Sequence, residues 1–209
     1  VGNLEHSNDA DLSPAKEWDN SLLIDAAQSI CKSHDDSNGG FSPAPKFPSP
    51  MKIDFLLSMG ESAKVRSDSQ LGDRIDFCVK RTLDAMARGG LFDHVGGGFF
   101  RYAIDDEWEV PHFEKMLCDN ALLLSTYSRA YRKYRFPLYR KIVKKTIQWL
   151  LREMGSPTSG FSSSLSADSN GKEGGYYLWE RDELEKIMGK TDTDRIFSDQ
   201  NPNSQIEPN

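Results

Sequence analysis

The residues best suited to chemistry crowd into one stretch. It runs Gly89-Gly90-Leu91-Phe92-Asp93-His94-Val95-Gly96-Gly97-Gly98-Phe99-Phe100-Arg101-Tyr102 and resumes at Asp105-Asp106-Glu107-Trp108-Glu109-Val110-Pro111-His112-Phe113-Glu114-Lys115-Met116-Leu117. An ordinary loop of this length is mostly Ser, Asn, Gly and Pro. This one holds two of the four histidines, His94 and His112, and imidazole is the side chain best matched to proton transfer near neutral pH. Each histidine also has a purely structural reading. Pro111 suits the first turn of a following helix, which would set His112 and Glu114 near its positive end. Gly96-Gly97-Gly98 reads as a tight turn rather than a phosphate cradle, since no Lys-Ser/Thr follows and no strand-turn-helix context is visible. Asp93, His94 and His112 match no established metal-ligand spacing. Trp108 and the neighbouring Phe and Tyr residues are either core fillers or stacking platforms for a ring-shaped ligand.

Helices must position this stretch. A helical pattern starts after Asp19-Asn20-Ser21, with Leu22, Leu23, Ala26, Ala27 and Ile30 on one face. A short apolar helix is expected around 53–59. Leu71, Ile75, Cys78, Val79, Leu83 and Met86 then recur at intervals of three and four, one buried stripe. Gly89-Gly90 is expected to close that helix in the left-handed conformation. Residues 116–134 read as an inner helix, apolar nearly all round in its first half. Residues 138–154 read as an outer one, with Ile142, Val143, Ile147, Leu150, Leu151 and Met154 on one face and Lys and Arg over much of the rest. The three Gly-then-apolar turns, Gly39-Gly40-Phe41, Gly89-Gly90-Leu91 and Gly160-Phe161, suggest three layered helical hairpins packed as an arc, too few to close a ring. A small strand is expected over 175–179 and a short helix over 180–188.

Two further loops bear on a site. Phe41-Ser42-Pro43-Ala44-Pro45-Lys46-Phe47-Pro48 is a proline-stiffened crossover carrying one cation. Ser166-Ala167-Asp168-Ser169-Asn170-Gly171-Lys172-Glu173-Gly174-Gly175 is a polar turn, in which Asp168 is either a third site carboxylate or a turn former. Residues 1–17 read as a linker or the remnant of an upstream segment, and 190–209 as a polar, poorly patterned tail.

With 209 residues, 28% charged and 37% hydrophobic, the chain has material for one soluble domain with a substantial core. A net charge of −6 with no Lys/Arg run argues against nucleic acid, and the apolar runs are too short to span a bilayer. Cys31, Cys78 and Cys118 form no C-x-x-C pair, so neither a zinc site nor a dithiol motif is supported, and they read as buried free thiols. No cofactor is expected. Without an initiator Met or a targeting segment, the chain reads as a fragment.

Gly40-Phe41…Ala44-Pro45-Lys46-Phe47-Pro48, Asp93-His94…Gly97-Gly98-Phe99…Arg101-Tyr102 and Trp108…Val110-Pro111-His112-Phe113-Glu114-Lys115-Met116-Leu117…Asp119 together resemble the spermatogenesis-associated protein 20 family. Ser166-Ala167-Asp168-Ser169…Glu173-Gly174…Tyr176…Trp179 resembles a further block of that family in the same order. The resemblance covers roughly 18–189. Phe100, Cys118 and Ser42 depart from it, standing where His, Tyr and Gly are frequent. It implies a thioredoxin-like domain, lacking here, followed by a helical domain similar to six-hairpin glycosidases and sugar 2-epimerases. The expected fold is therefore mainly α, an incomplete (α/α)6 toroid with short β segments in its loops.

On that footing the expected partner is a small carbohydrate, and the expected activity of the intact protein is sugar isomerisation or epimerisation. His94 and His112 would be acid and base, Arg101 would stabilise an enolate-like oxygen, and Trp108, Phe99, Tyr102, Lys46 and Asp168 would contact the sugar. Glycoside hydrolysis is a variant that needs two carboxyl groups about 5–9.5 Å apart, with Glu114 and either Asp93 or Asp168 as candidates. The rival expectation is a non-catalytic binding or regulatory module acting with the thioredoxin-like domain.

Overall fold

Asp68 starts the longest helix by accepting a hydrogen bond from the Leu71 amide, and its apolar stripe then runs inward without a break. A computed structural model describes residues 21–62, 65, 67–156, 158 and 160–198. The Asp19-Asn20 cap and the linker over 1–17 lie outside them.

In chain order the helices are α1 (Ser21–Lys32), α2 (Pro50–Glu61), α3 (Ser69–Arg88), α4 (Leu117–Tyr134), α5 (Pro137–Trp149), α6 (Arg181–Met188) and α7 (Lys190–Ser198). Proline opens both α2 and α5, where its missing N–H costs nothing. α5 continues into a π-helical turn, Leu150–Met154. Three two-stranded antiparallel ribbons lie between helices: β1 (Tyr102–Ala103) with β2 (Pro111–His112), β3 (Lys115–Met116) with β4 (Ser164–Leu165), and β5 (Asp168–Ser169) with β6 (Lys172–Glu173). α2 packs on α3 and α4, α4 packs on α5, and α1 rests on α2 and α3.

The α3 stripe is buried throughout, from Leu71 through Ile75, Cys78, Val79 and Leu83 to Met86. Each such side chain stabilises by roughly 1.5–3 kcal/mol relative to exposure. Tyr127, on the inner helix α4, is buried against α3 and donates to the Leu83 carbonyl at 2.7 Å.

Several expectations need correction. On α1 the buried residues are Ala27 and Cys31, while Leu22 is 72% exposed and Leu23 43%. The true stripe is therefore rotated from the one read off the leucines. Along α5 and the π turn the core takes Tyr139, Ile142, Thr146, Trp149, Leu150 and Met154, leaving Ile147 and Leu151 outside. Gly89 ends α3 in extended geometry, φ −76 and ψ −179, rather than left-handed. Glycine is required there by close approach, since a Cβ on Gly89 would stand 2.5 Å from the Trp108 carbonyl oxygen and one on Gly90 2.0 Å from that of Glu109.

α4 begins at Leu117, so Pro111 opens no helix; its strand pairs with β1 instead. Residues 174–177 form turns and no strand. Lys190–Ser198, expected to be unpatterned, is helical and packs on α6, with Thr193 buried and its hydroxyl donating to the Gly189 carbonyl at 3.0 Å. Cys118 is exposed, unlike Cys31 and Cys78.

Candidate functional site

The β1–β2 ribbon builds the site. Its register sets Tyr102 opposite His112, and their rings stack with centroids 4.8 Å apart and planes 13° apart. Lys46 pairs with Ala103 through two backbone hydrogen bonds, which delivers Phe47 to Tyr102 at 4.8 Å. One residue before β1, Arg101 donates its amide to the Glu114 carbonyl at 2.9 Å and its guanidinium to the Glu114 carboxylate at 2.8 Å. His112 Nε2 lies 3.8 Å from that same carboxylate oxygen. Its Nδ1 meets Glu173 Oε1, from β6, at 2.6 Å. A carboxylate only accepts, so His112 donates from Nδ1, and in the neutral ring the lone pair is then on Nε2.

Asp119 joins from the first turn of α4. Burial pushes its carboxyl above the usual range; the Arg101 charge and a Cys118 hydrogen bond oppose this, and the Glu114 charge adds to it. The Glu114 hydrogen bond and charge in turn make Arg101 still more basic.

Behind this polar rim a second constellation holds the backbone. Lys115 follows Glu114, and its side chain is 1% exposed. Its ammonium donates to Asp93 Oδ2 at 2.7 Å and to the Gly97 carbonyl at 2.9 Å, and it faces the rings of Phe100, Tyr177 and Trp149 at 4.6, 4.9 and 5.2 Å. Burial pushes the Asp93 carboxyl up, but the Lys115 ammonium and the amides of Gly96 and Val95 outweigh it and hold it below the usual range. Burial makes Lys115 less basic, with Asp93 pulling the other way. Both groups therefore shift downward, which favours the charged form of Asp93 and disfavours that of Lys115. The charged form stands, because the ammonium keeps a carboxylate, a carbonyl and three ring faces.

Gly97 and Gly98, at φ +89 and +80, complete the turn against α5, where a Cβ on Gly98 would lie 2.6 Å from the Trp149 ring. Buried Asn120 clamps the next residue: its Oδ1 accepts from the Phe99 amide at 2.7 Å, and its Nδ2 donates to the Phe99 carbonyl at 2.9 Å.

The structure therefore brings together His112, Glu114, Arg101 and Tyr102 among the expected site residues. His94 lies elsewhere. Its exposed ring bonds to the Gly89 carbonyl at 3.0 Å and meets the edge of Phe92, and among the described residues no hydrogen bond, ion pair or ring contact joins it to that group. Asp93 serves Lys115. Trp108 is fully buried, its indole N–H donating to the Asn38 carbonyl, so it fills the core instead of presenting a face. Phe99 is buried between Phe92 and Tyr127. Lys46 is buried on Asp35 and the Asp106 carbonyl, at 2.6 and 2.7 Å. Asp168 is exposed in the β5–β6 hairpin.

Sequence reasoning gave Glu173, Asp119 and Asn120 no role in a site. Glu173 and Asp119 stood only among the residues of the family resemblance. Asn120 left a signal: a polar residue at a helix position otherwise due to be apolar.

Among the described residues no group of three or more His, Cys, Asp or Glu is placed to hold a metal ion, and no helix is long and apolar enough to cross a membrane. An open hollow of about 370 Å³ on α3, lined by Asp73, Asp76, Phe77, Lys80, Arg81 and Asp84, shares no residue with the cluster. The cluster, with its imidazole and paired carboxylates, has the better chemistry.

No protein-family model matches the chain. Over 167 residues, 77% of its length, it is 39% identical to human spermatogenesis-associated protein 20 and 37% identical to the mouse protein, spanning 21% of each. An uncharacterised Caenorhabditis elegans protein is 34% identical over 166 residues, 75% of this chain and 22% of that one. The chain thus spans about a fifth of the length of these curated relatives.

Among solved structures it is similar to a sugar epimerase from a ruminal bacterium, with TM-score 0.52 and 15% identity over 84% of this chain and 53% of that one. It is also similar to the cellobiose 2-epimerase of Spirochaeta thermophila, with TM-score 0.55 and 17% identity over 70% and 39%. The fold is accordingly an incomplete (α/α)6 toroid with short strands in its loops.

Proposed function

From the premise that this chain belongs, over the matched three quarters of its length, to the spermatogenesis-associated protein 20 family and carries a sugar-epimerase-like fold, we propose that the Arg101–Glu114–His112 cluster is an acid–base site for a small carbohydrate in the intact protein. The observation that supports it most is the 2.6 Å hydrogen bond between His112 Nδ1 and Glu173, which orients the ring so that, in its neutral form, Nε2 is the base on the side of Glu114.

In this reading Nε2 takes the proton from a carbon next to a sugar carbonyl, and the electron pair moves onto the carbonyl oxygen. The Arg101 guanidinium stabilises that oxygen. Asp119, whose carboxyl burial keeps above the usual range, returns a proton to carbon. Tyr102 forms the aromatic wall, and Phe47 extends it. The acid–base partner of His112 is thus Asp119 in place of His94, and hydrolysis through Glu114 with Asp93 loses support because Asp93 is tied to Lys115.

A second reading, a binding or regulatory module acting with a thioredoxin-like domain, draws on the burial of Trp108, Phe99 and Lys46, which removes three expected sugar contacts. The test inserts this chain into human spermatogenesis-associated protein 20 in place of the matching segment and screens mannose, glucose, fructose and N-acetylglucosamine for interconversion. Turnover lost in H112A and D119N but kept in H94A would support the acid–base site. A folded protein with no turnover, but with sugar binding weakened by R101A, would favour the binding module.

A further inference from the structure

Away from this cluster, the outer helix α5 carries charge that its own fold does not use. From residue 120 to 152 the chain has nine Lys and Arg and no Asp or Glu, in a protein whose net charge is −6. Two of the α4 cations turn inward: Arg129 meets Asp54 at 3.4 Å and Lys133 meets Asp76 at 2.7 Å. Those of α5 turn outward. Arg140, Lys141 and Lys144 are exposed, and among the described residues none of them makes an ion pair or a hydrogen bond. Lys145 and Arg152 extend the row, donating to the carbonyls of His94 and Gly96 and keeping their charge. Arg152 also meets Glu153 at 2.7 Å.

Local physics disfavours this arrangement. Arg140 with Lys144, and Lys141 with Lys145, are like charges four residues apart on one helix, and they repel. The helix dipole rewards cations in the last turn, where α5 has none. Packing is complete without them, because Tyr139, Ile142, Thr146 and Trp149 already face the core.

We propose that Arg140, Lys141, Lys144 and Lys145 form a docking surface for a sulfated polysaccharide. This surface is independent of the acid–base cluster. Residues at i, i+1, i+4 and i+5 make two columns on the exposed side, with charges about 6 Å apart along the axis, and Arg152 continues the line. A linear polyanion can lie along such a track and meet one cation after another. A bilayer fits less well: the apolar face of α5 is spent on the core, and its exposed aliphatics, Ile147 and Leu151, come only after the four cations. A nucleic-acid strand would want rings between the cations for its bases to stack on, and Trp149 is buried. Three of the four cations are lysine, which is depleted where proteins meet proteins.

The test titrates this chain with a heparin oligosaccharide and with its desulfated counterpart, by isothermal calorimetry at physiological ionic strength. Expected is saturable binding of the sulfated chain alone. R140Q/K144Q, checked for an unchanged circular-dichroism spectrum, should bind about 25-fold more weakly, about fivefold for each cation removed. K186Q/K190Q makes the same change in net charge on α6 and α7 and should bind as the parent does. Absence of heparin binding, or equal weakening in the two double variants, would overturn the surface. Tighter binding to phosphatidylserine vesicles, duplex DNA or poly-glutamate would overturn the polysaccharide and assign the face to a membrane, a nucleic acid or an acidic protein.

Discussion

Replacing Lys115 with methionine keeps most of the side chain's length and its contact with three rings but removes the charge. The Asp93 carboxylate, 12% exposed, then keeps only the Val95 and Gly96 amides, and the buried Gly97 carbonyl loses its donor. Removing one partner of a buried ion pair costs about 3–5 kcal/mol. Sulfur–aromatic contacts return about 0.3–1.5 kcal/mol, so K115M should lose about 1.5–4.7 kcal/mol. At roughly 2–4 °C per kcal/mol for a domain of this size, Tm falls by about 3–19 °C. D93N in the same background removes the stranded charge, so K115M/D93N should recover about 1–2 kcal/mol of that loss. Urea unfolding followed by circular dichroism gives both numbers, provided the m value is unchanged. A K115M loss below about 1 kcal/mol, or strict additivity with D93N, would refute the idea that this pair anchors the 93–100 turn.

Asn120→Ala strands the buried amide and carbonyl of Phe99 and should cost about 2–6 kcal/mol by urea unfolding, twice a single unmet partner. Gly98→Ala combines positive φ with a ring clash and should cost at least about 2 kcal/mol, read as a lower Tm. The hydrogen bonds from Arg74 and then His34 hold the Asp36 carboxyl at about 2, below its ordinary 3.8. A depressed carboxyl stabilises above its unfolded pKa and ceases to as pH falls through the folded one. The Tm difference between the parent chain and D36N should therefore shrink between pH 4 and pH 2, and a constant difference across that window would count against the ion pair.

The helices were readable because burial on one side imposes a 3.6-residue period, as the α3 stripe from Leu71 to Met86 shows. The period fails to give the phase when apolar residues are plentiful. Leu22 and Leu23 looked inward on α1, yet the small Ala27 and Cys31 are the residues it buries. Within the Gly- and aromatic-rich stretch, the roles of single residues depended on pairings that sequence does not carry. Trp108, Lys46 and Phe99 had the right chemistry for a ligand and went instead to the interior. Glu173 reached His112 across 61 residues through a hairpin whose closure no local pattern announced.

Along the segment from Pro111 to Met116, successive residues have different employers. Lys115 is sealed beneath the Gly97–Gly98 turn, while His112 and Glu114, on the rim, keep about a quarter of their side-chain surface in solvent. Substitutions at 112 and 114 thus change what the rim does without loosening what holds it. Selection or an engineer acting on those two positions would work with an interchangeable cassette, its reactivity free to drift while the mounting beneath stays fixed.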